Sequence, residues 1–435
     1  MAKQGKDANV RWLETLTSGD VPLVGGKNAS LGEMIKHLHR SGIRVPDGFA
    51  TTARAYNEFL GANDLTDRIT AKLDQFRSGR LSLAKAGAAI RRLIMDATLP
   101  APIAREITQA YRELGRRTGR RNPDVAVRSS ATAEDLPEAS FAGQQETFLN
   151  IRGGENLLKA CRRCYASLFT DRAISYRENH GFEHMKVALS IGVQIMVRSD
   201  KGGAGVMFSI DTETGFPDAV LINAAWGLGE TVVQGLVDPD EYMVFKPLLG
   251  KRGCTPIIEK RLGEKGKKLL YARRDAANPT KMAKTSERER RAHVLDEEQI
   301  LTLARWAVVI EKHYGCPMDI EWAKDGKTGE LFVVQARPET VQSQRQTQDF
   351  KTYTLKEKGR LLVSGNSIGA AVAAGKVCKL RSAADIDRFK DNAILVTEMT
   401  DPDWVPIMKR AAAIVTDHGG RTSHAAIVSR ELGLP

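Results

Sequence analysis

The sequence is poor in cysteine and has no long hydrophobic run. Only 5 of its 435 residues are cysteines, and their spacing fits no disulfide framework. Cys161 and Cys164 form a single C-x-x-C without the second pair that a zinc site needs, so we interpret them as residues of a helix over 156–169. The apolar stretch from Val187 to Val197 has the length of a strand and is too short to cross a bilayer. These shortages argue against a disulfide-stapled module and against a membrane-spanning chain.

The absence of other sequence signals bears on the cellular location of the protein and on the classes of partner it could bind. The N-terminus, Met1 to Asp7, lacks the apolar core of a signal peptide, which predicts a cytoplasmic location. The 65 lysines and arginines exceed the 53 aspartates and glutamates, and the net charge of +12 would suit a polyanionic partner. The basic residues occur in short clusters, however, without interleaved aromatics or a recognisable nucleic-acid-binding module. We therefore place these clusters on solvated surfaces and predict neither a nucleic-acid nor a membrane partner.

The mixture of helix and strand patterns predicts a mixed α/β (α+β) protein. The length of the chain indicates about two to four domains. Residues 341–352 are rich in glutamine and lack apolar periodicity, which is typical of a linker. This linker separates a domain over 1–340 from a small β/α segment over 353–435. The predicted helices are 29–41, 53–62, 81–97, 102–115 and 297–314, and the predicted strands are 124–128, 187–197, 204–209, 219–224, short strands within 359–380, and 393–397.

A histidine stands at the start of the last predicted helix. The turn from Asp417 to Arg421 is glycine-rich and Ser423 is a good N-cap, so His424 should lie in the first helical turn. The amides and the positive dipole end there attract phosphate, disfavour the imidazolium and keep a nitrogen lone pair available for attack. A lone histidine at a helix start is otherwise an ordinary surface residue, and a metal site with His418 lacks a third ligand. His424 is therefore a candidate phosphoryl acceptor.

Two segments in the N-terminal half of the chain contain a cationic residue suited to binding phosphate. A Gly-Gly-Lys sequence ending at Lys27 precedes a helix, but its spacing is not that of a Walker A motif, and a helix-entry turn with an exposed lysine is the alternative. Arg128 ends a strand that leads into a hydroxyl-rich loop, where its planar guanidinium can grip phosphate oxygens. The segment after this loop alternates like a strand and has a glycine, Gly143, where backbone could approach a ligand.

A turn-rich connection around residue 328 predicts a hairpin. If the pairing is symmetric, Glu321 faces Gln335 and Asp319 faces Arg337, and the two-residue period puts all four side chains on one face. Carboxylate and amide oxygens suit Mg²⁺, which completes its shell with nucleotide phosphates. The alternative is a surface hairpin with an ion pair between Asp319 and Arg337.

Together these segments resemble the phosphoenolpyruvate synthase (pyruvate, water dikinase) family of PEP-utilizing enzymes. The resemblance is carried by Arg128 to Asp135, Gln335 to Thr340, Met399 to Trp404 and Gly419 to Ala426, in the order of that family. It covers essentially all 435 residues. It implies an ATP-grasp-like nucleotide-binding domain, a linker and a truncated swivelling β/β/α phosphohistidine domain. The family's pyruvate-binding barrel is expected to be absent from this chain.

The resemblance also implies roles for individual residues. His424 would carry the phosphoryl group, and Thr422 would be a target of a regulatory kinase. Mg²⁺ and ATP would be the cofactors, with Glu321 and Gln335 as metal ligands. The residues implied in nucleotide binding are Lys27, Arg128, Gly143, Thr147, Gln194, Asp319, Glu321, Gln335 and Arg337.

For some segments the sequence leaves more than one interpretation open. Gln194 would line the adenine pocket, with a plain buried strand as the alternative. Lys201 to Gly205 are either a flap over the phosphates or a tight turn. Ala225 to Glu230 and Val237 to Tyr242 match the family without a role that the sequence defines.

The implied function is ATP-dependent phosphorylation of His424, as the donor half of the conversion of pyruvate, ATP and water into phosphoenolpyruvate, AMP and phosphate. A full-length parent would be a homodimer that also binds pyruvate and phosphoenolpyruvate. The alternatives are a pyruvate, phosphate dikinase-like enzyme, which keeps the same domain order, and a catalytically incomplete ATP-binding fragment. We expect a phosphotransferase that, as this chain alone, forms no phosphoenolpyruvate from pyruvate.

Overall fold

The computed structural model describes residues 8–132, 146–179, 181–273, 278–339, 371–420 and 423–435, with the backbone of 135–136 and 139–140 and shorter stretches at 354, 356–357, 359–365 and 367–369. The helices are α1 (Val21–His37), α2 (Ala53–Ala62), α3 (Leu65–Arg77), α4 (Leu83–Asp96), α5 (Ala101–Arg117), α6 (Gly154–Ser167), α7 (Asp171–Asn179), α8 (Glu230–Val233), α9 (Glu287–Arg290), α10 (Glu297–Tyr314), α11 (Val405–Met408) and α12 (His424–Leu432). The strands are β1 (Val10–Trp12), β2 (Gly48–Thr51), β3 (Val125–Ala131), β4 (Asp135–Leu136), β5 (Ala139–Ser140), β6 (Thr147–Ile151), β7 (Leu189–Ile195), β8 (Gly203–Phe208), β9 (Ala219–Trp226), β10 (Asp240–Phe245), β11 (Ile257–Arg261), β12 (Lys267–Tyr271), β13 (Thr280–Lys284), β14 (Met318–Lys324), β15 (Leu331–Pro338), β16 (Val377–Lys379), β17 (Ile394–Thr397) and β18 (Ala413–Thr416).

The chain divides into two compact units, each described by itself. The first comprises Met1–Val197, Tyr271–Thr280 and Phe332–Arg337, and the second comprises Arg198–Leu270, Lys281–Leu331 and Pro338–Pro435. The whole predicted linker, 341–352, lies outside the described residues. The boundaries predicted at 340 and 353 therefore stay a prediction.

The first unit is built on an antiparallel sheet in the order β1-β2-β7-β3-β6. Alternate residues of a strand point to opposite faces. On one face, Val127 of β3 and Ile191 and Val193 of β7 are fully buried in an apolar core with helical residues such as Ile107 and Leu157. The opposite face carries the polar members of the same strands, and this is where the candidate site residues of this unit lie.

The second unit contains antiparallel strands in the order β11-β10-β9-β8-β14. The helix α10 lies beside them, with Ile300, Leu303 and Ile310 fully buried. A separate three-stranded parallel sheet, β16-β17-β18, is followed directly by α12. Parallel strands joined by helical connections are the β/α arrangement expected after residue 353.

Several predicted elements are confirmed. The predictions for α2 and α10 coincide with the observed bounds, and α10 begins with a capping box at Asp296 and ends at Gly315 in the left-handed region (φ 72). Both strands of the hairpin around residue 328 form, as β14 and β15. The pairing of individual residues across that hairpin stays a prediction.

Two predictions need correction. The first helix begins at Val21 rather than at residue 29, and it contains a kink at Gly25 (φ 73). Of the short strands predicted within 359–380, the described part of this range contains β16 alone. Leu361, Leu362 and Val363 are 78%, 81% and 73% exposed. Without a partner strand or core to cover them, their β-propensity is not sufficient to form a strand.

Cys161 and Cys164 are buried, free thiols in α6, as expected of helix residues. Burial raises the pKa of the Cys161 thiol to about 12, so it stays protonated. Within the described residues, no helix combines the length and the apolar character needed to span a membrane.

Candidate functional site

The candidate residues of the first unit meet on the polar face of its sheet. Arg128 in β3 lies directly opposite Thr147 in β6 and opposite Gly192 in β7. Residues paired across antiparallel strands share a face, so Thr147 and Arg128 are neighbours. Gln194 is two residues beyond Gly192 and therefore lies on the same face. The structure thus brings three predicted nucleotide-binding residues together.

The Gly-Gly-Lys segment lies against this same face. Gly25 has φ 73, and a Cβ atom placed on it would lie 2.6 Å from the carbonyl oxygen of Ser130. Three residues later, the Asn28 side chain donates to the hydroxyl of Ser190 at 2.9 Å. Only a residue without a side chain permits so close an approach of helix and strand. Lys27, which is half-buried, is thereby held at the Arg128 side of the sheet.

Residues 332–337 of β15 complete the polar face of the first unit. The Arg128 guanidinium donates through Nη1 to the Val334 carbonyl at 3.0 Å and to Oε1 of Gln335 at 3.2 Å. The Ser30 hydroxyl of α1 donates to the Ala336 carbonyl at 2.9 Å. Gln335 and Arg128 are both only 8% exposed. These bonds fix the position of Gln335, and of the backbone that leads to Arg337.

Gln194 has a local structural role in this unit. It is 2% exposed, and its amide nitrogen donates to the Pro46 carbonyl at 3.1 Å. A buried glutamine needs such a partner to offset its lost hydration. Binding of adenine by Gln194 stays a prediction. The carbonyl oxygen of the same amide is the atom that would make this contact.

Asp319 and Glu321 lie in β14 of the second unit. They are two residues apart, both half-buried, and opposite Phe208 and Val206 of β8, so both carboxylates are on one face of the strand. Within the described residues there is no group of three or more His, Cys, Asp or Glu side chains able to hold a metal ion. Any metal here would need ligands from the nucleotide or from other residue types. Gly143 and Thr422 lie outside the described residues.

His424 is the first residue of α12. Ser423 is the N-cap, and its hydroxyl accepts a hydrogen bond from the Ala426 amide at 3.3 Å, as predicted. The ring nitrogen Nδ1 of His424 lies 3.0 Å from the hydroxyl oxygen of Thr400. Thr400 is only 3% exposed, so this contact fixes the ring against buried structure.

Thr400 is a candidate site residue that the sequence pattern did not reveal. It belongs to the string Met399 to Trp404, which supported the family resemblance, but its separation of 24 residues from His424 gives no local signal. The contact arises because residue 400 follows β17 and His424 follows β18, and these two strands are parallel neighbours. Segments that follow neighbouring parallel strands meet at the same edge of a sheet.

Comparison with known proteins identifies the family. The sequence model described as "Pyruvate phosphate dikinase, AMP/ATP-binding domain" matches residues 21–358. The chain belongs to this family. A second model, "PEP-utilising enzyme, mobile domain", matches residues 389–435, which include Thr400 and His424.

The curated relatives are named phosphoenolpyruvate synthase. The chain is 53% identical to the one from Synechocystis sp. over 98% of this chain and 53% of the relative. It is 50% identical to the one from Escherichia coli over 100% of this chain and 54% of the relative, and 43% identical to the one from Pyrococcus furiosus over 98% and 55%. The chain therefore spans about half the length of these relatives. Its AMP/ATP-binding domain contains Lys27, Arg128 and Gln335, and its mobile domain contains His424.

Proposed function

We propose that this chain binds ATP and transfers a phosphoryl group from it to His424, as the donor half of phosphoenolpyruvate synthesis. The observation that carries the proposal is the Thr400 to His424 contact at the N-terminus of α12. The matches to an AMP/ATP-binding domain and to a PEP-utilising mobile domain, and the names of the relatives, support it.

The Thr400 contact supports an assignment of the ring nitrogen that reacts. A neutral imidazole carries one proton, and the nitrogen without that proton is the nucleophile. If Nδ1–H donates to the Thr400 hydroxyl at 3.0 Å, the lone pair is at Nε2. The amides and dipole at the start of the helix disfavour the charged imidazolium and favour an arriving phosphate. We assign the phosphoryl acceptor to Nε2 of His424.

The proposed step forms one bond and breaks one bond at the β-phosphorus of ATP. Nε2 of His424 attacks the β-phosphorus of ATP, a nitrogen–phosphorus bond forms, and the bond from that phosphorus to the AMP oxygen breaks. AMP leaves with the electron pair. Water then releases the terminal phosphate, and one phosphoryl group stays on His424 for pyruvate enolate in a full-length protein. Catalysis in such transfers is mainly positioning and charge stabilisation.

The first unit supplies cations for the nucleotide. Arg128 can offer a planar donor group, and Lys27, Thr147 and Arg337 are the other proposed contacts of the phosphates. Gln194 and Gly143 are proposed to contact the nucleotide as well. The finer fold description, an ATP-grasp-like domain followed by a swivelling β/β/α domain, is part of this proposal.

Magnesium is the metal that the donor chemistry fits. Two half-buried carboxylates on one face of β14, Asp319 and Glu321, are hard oxygen donors of the kind Mg²⁺ prefers. Bound with the nucleotide, Mg²⁺ would neutralise phosphate charge. Glu321 and Gln335 stay the predicted ligands, and this part is checked by whether ATP binding depends on magnesium.

Further partners remain proposals. Phosphorylation of Thr422, two residues before His424, would add about −1.5 to −2 charges and repel an incoming nucleotide phosphate. A regulatory kinase acting there and a homodimeric full-length protein are proposed from the sequence resemblance, and a cytoplasmic location is proposed from the N-terminal sequence.

Labelling tests the central step. The protein incubated with [β-³²P]ATP and magnesium should acquire acid-labile, base-stable label, and His424→Asn should acquire none. His418→Asn, a change of the neighbouring exposed histidine, should label like the wild type. Label that persists in His424→Asn would place the acceptor elsewhere and overturn the proposal. If the terminal phosphate is released only when orthophosphate is added, and leaves as pyrophosphate, the reaction is that of a pyruvate, phosphate dikinase.

A further inference from the structure

The segment that carries His424 lies against residues of the second unit that the proposed chemistry does not use. Gly235, in the turn after α8, has φ 67. A Cβ atom on Gly235 would overlap the Ser423 side chain and lie 2.7 Å from the Ser423 Cα. The backbone that caps α12 can therefore sit where it does only because residue 235 has no side chain.

Pro239 lies beneath the glycine turn that precedes His424. A Cβ atom on Gly420 would lie 3.0 Å from the Cδ atom of Pro239. The residue after this proline, Asp240, is fully buried, forms an ion pair with the equally buried Lys265, and accepts the Val294 amide at 2.9 Å. Several bonds to one buried carboxylate hold the Pro239 backbone in a single position.

Glu213 holds the same segment through Arg430 and also contacts Gly369. One carboxylate oxygen accepts from the Arg430 guanidinium of α12, and the other accepts from the Gly369 amide at 2.6 Å. Both members of the ion pair are largely buried, with side chains 6% and 12% exposed. Glu213 is itself placed by a tight turn, because its amide donates to Asp211 at 3.0 Å.

The part of the chain that carries His424 has an apolar core of its own. Leu395, Trp404, Ile407 and Met408 form a buried cluster, against which Val428 of α12 packs. Within the described residues, the members of this cluster all come from the C-terminal part of the chain. Gly235, Pro239 and Glu213 contact this part of the chain and are not members of that cluster.

We infer that Glu213, Gly235 and Pro239 form a docking surface for residues 419–420 and 423–430, and that this surface sets the position of the His424 ring. This inference rests on the proposed phosphorylation of His424, because the docking surface would position the histidine for that reaction. It gives a role to Pro239 in the segment Val237 to Tyr242, which the sequence alone left unassigned. Glu213 and Gly235 are positioning residues, because they act through Arg430 and Ser423.

Hydrogen exchange of the α12 amides tests the docking surface directly. Gly235→Ala should accelerate exchange at residues 424–432 by about tenfold, equivalent to about 1.4 kcal/mol. Gly253→Ala is the matched control, because Gly253 also has a positive φ of 77 but its Cβ would meet nothing within 4 Å. The control should exchange like the wild type at α12. Equal rates in the two variants would overturn the role of Gly235.

A charge exchange tests Glu213. Glu213→Arg and Arg430→Glu should each accelerate exchange in α12, and the double variant Glu213→Arg with Arg430→Glu should restore slow exchange. A double variant that exchanges as fast as the singles would overturn the ion pair as a docking contact. These readouts do not depend on phosphorylation. Label that persists in His424→Asn would therefore refute the proposed function. The exchange rates of the α12 amides would still decide whether the docking surface exists.

Discussion

The arginine at position 128 shows how one side chain joins a predicted ligand site to the fold around it. The residue is 8% exposed, and its guanidinium donates to both Val334 and Gln335. Arg128→Lys keeps the charge but loses the planar fork. We expect ATP affinity, measured by calorimetry with magnesium, to fall by about 1.5 to 3 kcal/mol, the range for a hydrogen bond to a charged group.

A control separates binding from stability in that variant. Arg121→Ala changes an exposed arginine outside the predicted site and should leave ATP affinity unchanged. The unfolding temperature is measured alongside, because Arg128 also anchors residues 332–337. Wild-type affinity in a folded Arg128→Lys protein would remove Arg128 from the nucleotide site.

Single residues also show where sequence reasoning succeeds and where it stops. The role of Ser423 as N-cap follows from its type and its place before a helix-forming run, and the structure confirms it. Thr400 could not be found this way, because its contact with His424 depends on two strands being parallel neighbours. The partners of Glu213 and Gly235 are likewise about 200 residues away in sequence.

At the scale of elements, the N-terminus of α12 combines a cap with the candidate acceptor. Ser423→Ala removes the bond to the Ala426 amide and should destabilise this helix by about 1 kcal/mol. The effect should appear as faster exchange of the first-turn amides and a lower yield of labelled His424. Ser429→Ala, the same change inside the same helix, should not reproduce it, because alanine is the better helix former there. If both variants behave alike, the cap does not position His424.

Elements with complete local signals were the most predictable. Helix α10 has a capping box, an apolar stripe and a terminal glycine, and its bounds were predicted from the sequence. The apolar residues 361–363 have strand propensity but lie exposed, because strand formation depends on a neighbour that the local sequence does not specify. The kink at Gly25 is likewise imposed by the approach of α1 to Ser130.

At the scale of the whole molecule, a buried histidine should make folding stability depend on pH. Arg177 donates through Nε to Nδ1 of His184 at 2.8 Å, and Nε2 of His184 lies 2.7 Å from the Glu178 carboxylate. The ring is therefore neutral, with Nε2–H donating to Glu178. Burial, and then the Arg177 charge, lower the pKa of His184. A second proton on the ring would have to bind at Nδ1, where it would face the N–H group of Arg177.

The direction of the pH effect follows from which state binds the proton. The unfolded chain takes up a proton at its ordinary pKa of about 6.5, whereas folded His184 resists protonation until a lower pH. The contribution to stability is present above about pH 6.5 and is lost as the pH falls through the folded pKa. The first unit should therefore unfold in less urea at about pH 5.5 than at about pH 7.5. In His184→Gln, whose amide can accept from Arg177 and donate to Glu178 without titrating, this difference should shrink. An equal pH dependence in the variant and the wild type would show that His184 is not the group responsible.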